Sequence, residues 1–357
     1  MRIAIAAAGT GGHLYPALRI ADALVERGVR TEDVLFLGGE GMERQIVGDA
    51  GYELLGFPLA KLRRSLTASN LKIPVVVRRS ARQMAAALGE REVDLVLGMS
   101  GYVTVPAALA ARRAGLPFVV HEQNAKPGLA ARFGSRRARF TLLGLPGRSE
   151  RLPRASVVGN PIRPALARFD RSAGRSAARA RYRLGDHGPV LGVLGGSQGA
   201  RVLNQSVASI AATGGVGAIV HLSGQAAHEE MARQAETASL PWRCLAFEDE
   251  MEHFYAAVDL VVARAGAMTI SELAATGTPA ITVPLERVGQ RHNAALLVEA
   301  GAAVEVRQRD IGRLPEIVES AISDEARVRR MGDTARSVAS PEAAETIAGR
   351  VIEAAGG

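Results

Sequence analysis

The sequence predicts an α/β protein of two doubly wound domains, and three observations carry that prediction. Short apolar, β-branched runs alternate with stretches of helical spacing along all 357 residues. Two of these runs end in glycine-rich turns, Gly9-Thr10-Gly11-Gly12-His13 and Gly195-Gly196-Ser197-Gln198-Gly199-Ala200, one opening each half of the chain. Between the halves, Gly159-Asn160-Pro161-Ile162-Arg163-Pro164 stops the alternation with two prolines and marks a hinge. The length suits two domains of ordinary size, here 1–160 and 161–340.

Taken in order, Arg2 to Ala8 reads as a buried strand that runs into the first glycine turn, and Tyr15-Pro16-Ala17 opens a helix reaching Arg27. Pro16 suits a first helical turn and Gly28 a C-terminal cap. Strands follow at 34–37, 94–97, 118–121 and 140–143, each leading into polar or glycine-rich sequence of the kind that ends a strand. After the hinge, Arg168 to Arg183 is rich in arginine, alanine and serine, and strands are expected at 190–194, 218–222, 260–263 and 280–283 with helices between them. A helix over 202–208 continues from the second glycine turn, and another over 269–276 is stopped by Gly277 and Pro279.

Composition narrows the function. Lysine and arginine number 44 against 36 acids, a net charge of +8 carried almost wholly by arginine, since Lys61, Lys72 and Lys126 are the only lysines. Such a balance favours phosphorylated substrates, an anionic membrane or nucleic acid. Nucleic acid is the weakest of these, because aromatic residues make up 4% of the chain and no zinc, RNP or basic-zipper pattern is present. Cys244, the single cysteine, excludes an intramolecular disulfide framework and a cysteine-rich metal site, and beside Leu245 it reads as a buried thiol. Met1 to Ala6 leads straight into a strand without a signal peptide, and no apolar run approaches the length of a membrane span, so a soluble cytoplasmic protein is expected.

The glycine turns admit two readings. A strand, tight turn and helix N-terminus present free N–H groups at the positive end of a helix, where an anion such as phosphate can approach without meeting a Cβ. The same sequence also connects any closely packed parallel sheet. A dinucleotide fingerprint would want glycine at the position of Leu14, which makes a nicotinamide cofactor the minority reading. The basic stretch of Lys61, Arg63, Arg64, Lys72, Val75, Arg78 and Arg79 is likewise either a surface helix with a core-facing stripe or a membrane patch. In the second case each cation adds about 1 kcal/mol near anionic lipid.

Seven segments in sequence order resemble one family. They are Gly9 to His13, Gly98 to Pro106, His121-Glu122-Gln123-Asn124, Val158 to Arg163, Gly195 to Ala200, Arg264-Ala265-Gly266-Ala267-Met268-Thr269-Ile270-Ser271-Glu272, and Gln290 with Asn293. The family is that of the MurG-type UDP-N-acetylglucosamine:N-acetylmuramyl-(pentapeptide) pyrophosphoryl-undecaprenol N-acetylglucosamine transferases. The resemblance implies an α/β GT-B fold, two Rossmann-like doubly wound domains facing a central cleft, with a final helix within 341–357 returning to the first domain. It implies transfer of N-acetylglucosamine from UDP-N-acetylglucosamine to the C4 hydroxyl of the muramyl sugar of lipid I, giving lipid II with inversion. Domain 1–160 would take the acceptor and dock on the membrane, and domain 161–340 would take the donor. Implied partners are these two substrates, anionic lipids of the cytoplasmic leaflet, and cell-wall and division proteins. No nucleic acid, cofactor or metal is implied, and the location would be peripheral, on the cytoplasmic face of the plasma membrane.

Carried over residue by residue, the resemblance implies His13 as base and Arg163 as the catalytic cation on the leaving phosphate. At the donor it implies Thr10, Gly11, Gly12, Asn124, Arg163, Ser197, Gln198, Gly199, Glu272, Gln290 and Asn293, with Glu272 accepting from the ribose hydroxyls. At the acceptor pyrophosphate it implies Gly11, Gly12, Gly101 and Tyr102. Each has a plainer alternative: His13 ordering its loop through a backbone carbonyl, Arg163 as an exposed cation, Glu272 as an ordinary first-turn helix charge. On the donor features alone, a nucleotide-sugar epimerase or a noncatalytic UDP-sugar-binding module would look alike. Ser100 stands where glycine is usual, Gly289 where some members carry a polar side chain, and Arg78, Arg79 and Ala81 where some relatives carry aromatics.

Overall fold

A computed structural model of the chain describes residues 1–9, 11–60, 73–185, 188–196 and 199–356. It divides into two compact units, 1–162 with 342–357, and 163–341.

The first unit is built on β1 (Ile3–Ala6), α1 (Gly11–Glu26), β2 (Val34–Gly38), α2 (Met42–Asp49), β3 (Glu53–Gly56), α3 (Ile73–Glu90), β4 (Leu95–Gly98), α4 (Thr104–Ala114), β5 (Phe118–Glu122), α5 (Leu129–Ser135), β6 (Phe140–Leu143) and β7 (Ala155–Val157). Its strands are parallel throughout, in the order β3-β2-β1-β4-β5-β6-β7. A parallel sheet is covered by helices on both faces, which is why its central strands read as unbroken apolar runs. On one face Leu14, Ile20 and Leu24 of α1 pack with the sheet, and on the other Met84 and Leu88 of α3 do so with Val103 and Ala107.

The second unit contains α6 (Pro164–Ala167), α7 (Arg171–Arg181), β8 (Val190–Leu194), α8 (Arg201–Ala211), β9 (Ala218–Leu222), α9 (His228–Glu236), β10 (Trp242–Leu245), α10 (Met251–Ala257), β11 (Leu260–Ala263), α11 (Ala267–Thr276), β12 (Ala280–Thr282), α12 (Gln290–Ala300), β13 (Ala303–Glu305), α13 (Leu314–Ile322) and α14 (Glu325–Ser337). Its parallel order is β10-β9-β8-β11-β12-β13. The arginine-rich stretch after the hinge is α7, capped by the Asp170 carboxylate on the N–H groups of Ser172 and Ala173. Arg175 and Arg179 tie this helix to Asp259, which also accepts from Val190 N–H at the foot of the sheet.

The last helix, α15 (Ala343–Gly356), belongs to the first unit. Ala344, Ile347, Ala348 and Val351 complete the α1 face of the core, and Arg19 of α1 reaches Glu345 at 2.6 Å.

Candidate functional site

In both units the order reverses beside the first strand, at β1/β4 and at β8/β11, and these switch points are where open α/β sheets bind ligands. Each is followed at its carboxyl edge by one of the glycine turns.

In the first unit the helix opens earlier than Tyr15. It begins at Gly11, so Gly11, Gly12 and His13 form its first turn and Pro16 lies in its second, a correction to the expected boundary. The reason is steric: a Cβ on Gly11 would lie 2.9 Å from the Tyr15 ring, so glycine lets the helix start under that side chain without displacing the ring. Gly9 (φ +109°) gives its N–H to the Glu43 carboxylate at 2.8 Å, and the Tyr102 ring lies against it. Glu43 is 4% exposed. Tyr102 has its pKa raised by burial and then by the charge of Glu43.

The loop after β4 completes this edge. Gly101 (φ +72°) lies under the His13 imidazole, with a Cβ there falling 3.6 Å from Nε2. Thus His13, Gly101 and Tyr102 come together with Gly9. Ser100, at the position where glycine is usual, adopts φ +59° and donates its hydroxyl to His121 O at 2.8 Å. The left-handed backbone accounts for the glycine elsewhere, and the buried hydroxyl supports the serine here.

His13 is partly exposed, yet among the described residues its buried Nδ1 has no partner. Burial lowers its pKa, and a hydrogen bond with the Gln123 side chain works the other way. Gln123 belongs to a strand-end motif in which each side chain is committed. His121 Nε2 donates to Gly159 O at 3.1 Å, and burial lowers its pKa to about 4. Glu122 accepts from Asn124 N–H and Nδ2, and from Gly128 N–H; burial raises its pKa despite those bonds. Asn124 is therefore held in place by Glu122.

In the second unit, Gly195 and Gly199 are packing requirements. A Cβ on Gly195 would lie 2.3 Å from Ala200 N, and one on Gly199 (φ +69°) 2.5 Å from Ser223 O. Gly196 (φ +80°) faces open space. The packing and anion readings of this turn are thus compatible: glycine closes the loop, and α8 starts at Arg201 behind Ala200, an N-cap residue with no side chain to cap it.

Arg163 occupies the N-cap position of α6, and its guanidinium donates to Asp249 O. Its charge acts on Glu272 and Tyr255, which places the three together. Glu272 is the sixth residue of α11, past the first turn, so the helix-charge alternative falls away. It accepts from the buried Tyr255 hydroxyl at 2.9 Å, and burial raises its pKa against the pull of that bond and of Arg163. Gln290 Oε1 accepts from Leu285 N–H at 2.9 Å. Asn293, 1% exposed, donates to Ala265 O at 3.1 Å and so pins the turn after β11 to α12. Arg264 is also structural, bonded to Val283 O and Gln308. Cys244 is half-buried and burial raises its pKa.

Thr10, Ser197, Gln198, Lys61, Arg63, Arg64 and Lys72 lie outside the described residues. Of the remaining basic patch, Val75 is 69% exposed and Arg78 and Arg79 are exposed on α3, whose opposite stripe of Ser80, Ala81, Met84 and Leu88 is buried. Among the described residues no helix is long and apolar enough to cross a membrane. The sequence motifs leave out Glu43 and Tyr255 and give Gln123 no role of its own. An acid in the first turn of a helix that follows Gly38 to Gly41 is a signal for the first; Tyr255, inside an apolar helical run, offers none.

Residues 3–142 match the glycosyltransferase family 28 N-terminal domain and residues 190–347 its C-terminal domain. A UDP-N-acetylglucosamine–N-acetylmuramyl-(pentapeptide) pyrophosphoryl-undecaprenol N-acetylglucosamine transferase of Acidothermus cellulolyticus is 39% identical, covering 99% of this chain and 98% of the relative. The protein of the same name from Halorhodospira halophila is 40% identical over 97% of this chain and 96% of its own. Among solved structures, MurG of Acinetobacter baumannii superposes with a TM-score of 0.79 at 27% identity, covering 99% of this chain and all (100%) of that one.

Proposed function

The chain belongs to the family of UDP-N-acetylglucosamine–N-acetylmuramyl-(pentapeptide) pyrophosphoryl-undecaprenol N-acetylglucosamine transferases, and on that premise we propose how its residues divide the reaction. It is a glycosyltransferase of GT-B fold that moves N-acetylglucosamine from UDP-N-acetylglucosamine to lipid I, giving lipid II for peptidoglycan.

In this reading the C4 hydroxyl of the muramyl sugar attacks the anomeric carbon, with inversion. The new C–O bond forms as the bond to the UDP β-phosphate breaks, and the hydroxyl proton passes to His13. The observation that carries the assignment is the position of His13 at the switch point over Gly101, with burial favouring the neutral imidazole, the form that has a lone pair for a proton. The departing UDP carries the electron pair away on its phosphate. Arg163 and the N-terminus of α8, equivalent to about half a positive charge, stabilise it without a metal. Glu272 accepts from the ribose hydroxyls, and Gln290 contacts the sugar while Asn293 holds the adjoining turn. Gly11, Gly12, Gly101 and Tyr102 receive the acceptor pyrophosphate. The exposed face of α3 rests on anionic lipid at the cytoplasmic face of the membrane, where cell-wall and division proteins are its neighbours.

Incubation with UDP-N-acetylglucosamine and a short-chain lipid I analogue should yield the disaccharide lipid, and His13→Ala should slow it by roughly 10²- to 10⁴-fold. UDP binding without transfer to any such analogue would defeat the reading, and conversion of UDP-N-acetylglucosamine alone to an epimer would replace it.

A further inference from the structure

The sequence groups Arg79 with the membrane-facing cations, but its surroundings differ from theirs. A cavity of about 650 Å³ opens at the carboxyl ends of β1, β2 and β3, and its lining includes Gly9, Glu43, Tyr102, Gln83 and Arg79. Two of these, Gly9 and Tyr102, are in the loops that frame His13. Arg78, its neighbour in sequence, does not line the cavity. The helix that brings Arg79 there is anchored: Ser80 donates to Pro58 O in the segment after β3, and Pro58 lines the same cavity. Two carboxylates, Glu40 and Glu43, also line the cavity. Glu43 holds Gly9 N–H, and the Glu40 side chain lies against Gly56 at the end of β3. Among the described residues Arg79 makes no ion pair, so its guanidinium is available to an anion entering beside the glycine loop.

We propose that Arg79 binds the pyrophosphate of the lipid-linked acceptor from the α3 side of this cavity, opposite the first glycine loop. This rests on the acceptor-site reading above. A planar guanidinium can fork onto two phosphate oxygens, which a lipid-surface cation has no need to do. The pyrophosphate is also the part of the acceptor that joins the sugar to the membrane-bound chain, and α3 stands between the loop and its own exposed, cation-bearing face.

The test is steady-state kinetics with a short-chain, water-soluble lipid I analogue and no vesicles or detergent. Arg79→Gln should raise the acceptor KM at least about tenfold with the donor KM unchanged, as expected for loss of a charged hydrogen bond. Arg79→Lys should recover part of the loss, and Arg82→Gln, exposed on the same helix and outside the cavity, should match the wild type. An unchanged acceptor KM in Arg79→Gln, with only weaker binding to anionic vesicles, would return Arg79 to the membrane surface and overturn the proposal. So would equal rises in both KM values, or a drop in thermal midpoint large enough to account for the change. Failure of the wild type itself to transfer would instead overturn the acceptor-site reading.

Discussion

Glu43 is a buried carboxylate whose partner is the backbone of the first glycine turn, and its removal isolates a single contact. Glu43→Ala leaves Gly9 N–H without its 2.8 Å acceptor, a loss of the size that leaving a buried donor unpaired brings, about 1–3 kcal/mol. The acceptor KM should rise about tenfold while UDP affinity stays constant, and Glu43→Gln, which keeps an acceptor oxygen, should fall between. A rise in the UDP dissociation constant would show that the clamp serves something other than the acceptor loop. In the second unit, Glu272→Ala should mainly raise the donor KM, whereas Arg163→Ala should lower kcat by roughly a hundredfold or more, the distinction between ground-state and transition-state contacts. Burial has already raised the pKa of Glu272, so donor binding should weaken on acidification at a pH above the ordinary glutamate range. Tyr255→Phe removes the bond that favours the charged form, and its donor KM should begin to rise at a higher pH than the wild type's. Superimposable donor KM–pH curves for the two proteins would exclude this link.

At the scale of elements, the two glycine turns differ in what glycine supplies. Gly195 is fixed by space, since a Cβ would meet the backbone of Gly199 and Ala200, while Gly196 is fixed only by its positive φ. Gly195→Ala should therefore displace the start of α8 and reduce UDP affinity more than tenfold in calorimetry, whereas Gly196→Ala should cost about 1–2 kcal/mol of stability and leave affinity within a few-fold. Equal losses in the two variants would mean that the turn tolerates the added carbon. This contrast also marks what sequence could convey. The strand over 190–194 and the helix stop at Gly277 were legible because local periodicity and glycine chemistry decide them. The start of α1 was not, because it depends on Tyr15 folding back over Gly11, a contact that no propensity encodes. The short strands β3, β7, β10 and β13 also carry weak apolar patterns, as β3 and β7 are partly exposed at the sheet edges. Residue types at the site were readable, as with His13, Arg163 and Glu272; their partners Gln123, Asp249 and Tyr255 were not, because tertiary packing alone brings those pairs together.

Across the whole molecule the two units repeat one plan, a parallel sheet whose reversal point carries a glycine turn, and each also buries a neutral histidine. His121 in β5 donates to Gly159 O, and His221 in β9 bonds Asn204 Oδ1 at 3.0 Å; burial lowers the pKa of each to about 4. An unfolded histidine binds its proton near pH 6.5. Between those two values the unfolded chain holds protons that the folded chain does not, so stability rises with pH through this window and falls as the pH drops from about 6.5 toward about 4. The loss is on the order of 3 kcal/mol per histidine by pH 4, a large share of the stability of a typical domain. Urea unfolding at about pH 7.5 and about pH 5 should therefore show a marked fall in midpoint in both units. In His121→Gln and His221→Gln the amide can still donate, to Gly159 O and Asn204 Oδ1 respectively, and it does not titrate. Each variant should therefore reduce the difference between the two pH values, and the double variant should remove most of it. A double variant with the full wild-type pH dependence would place its origin in other groups, such as His13, whose pKa burial also lowers.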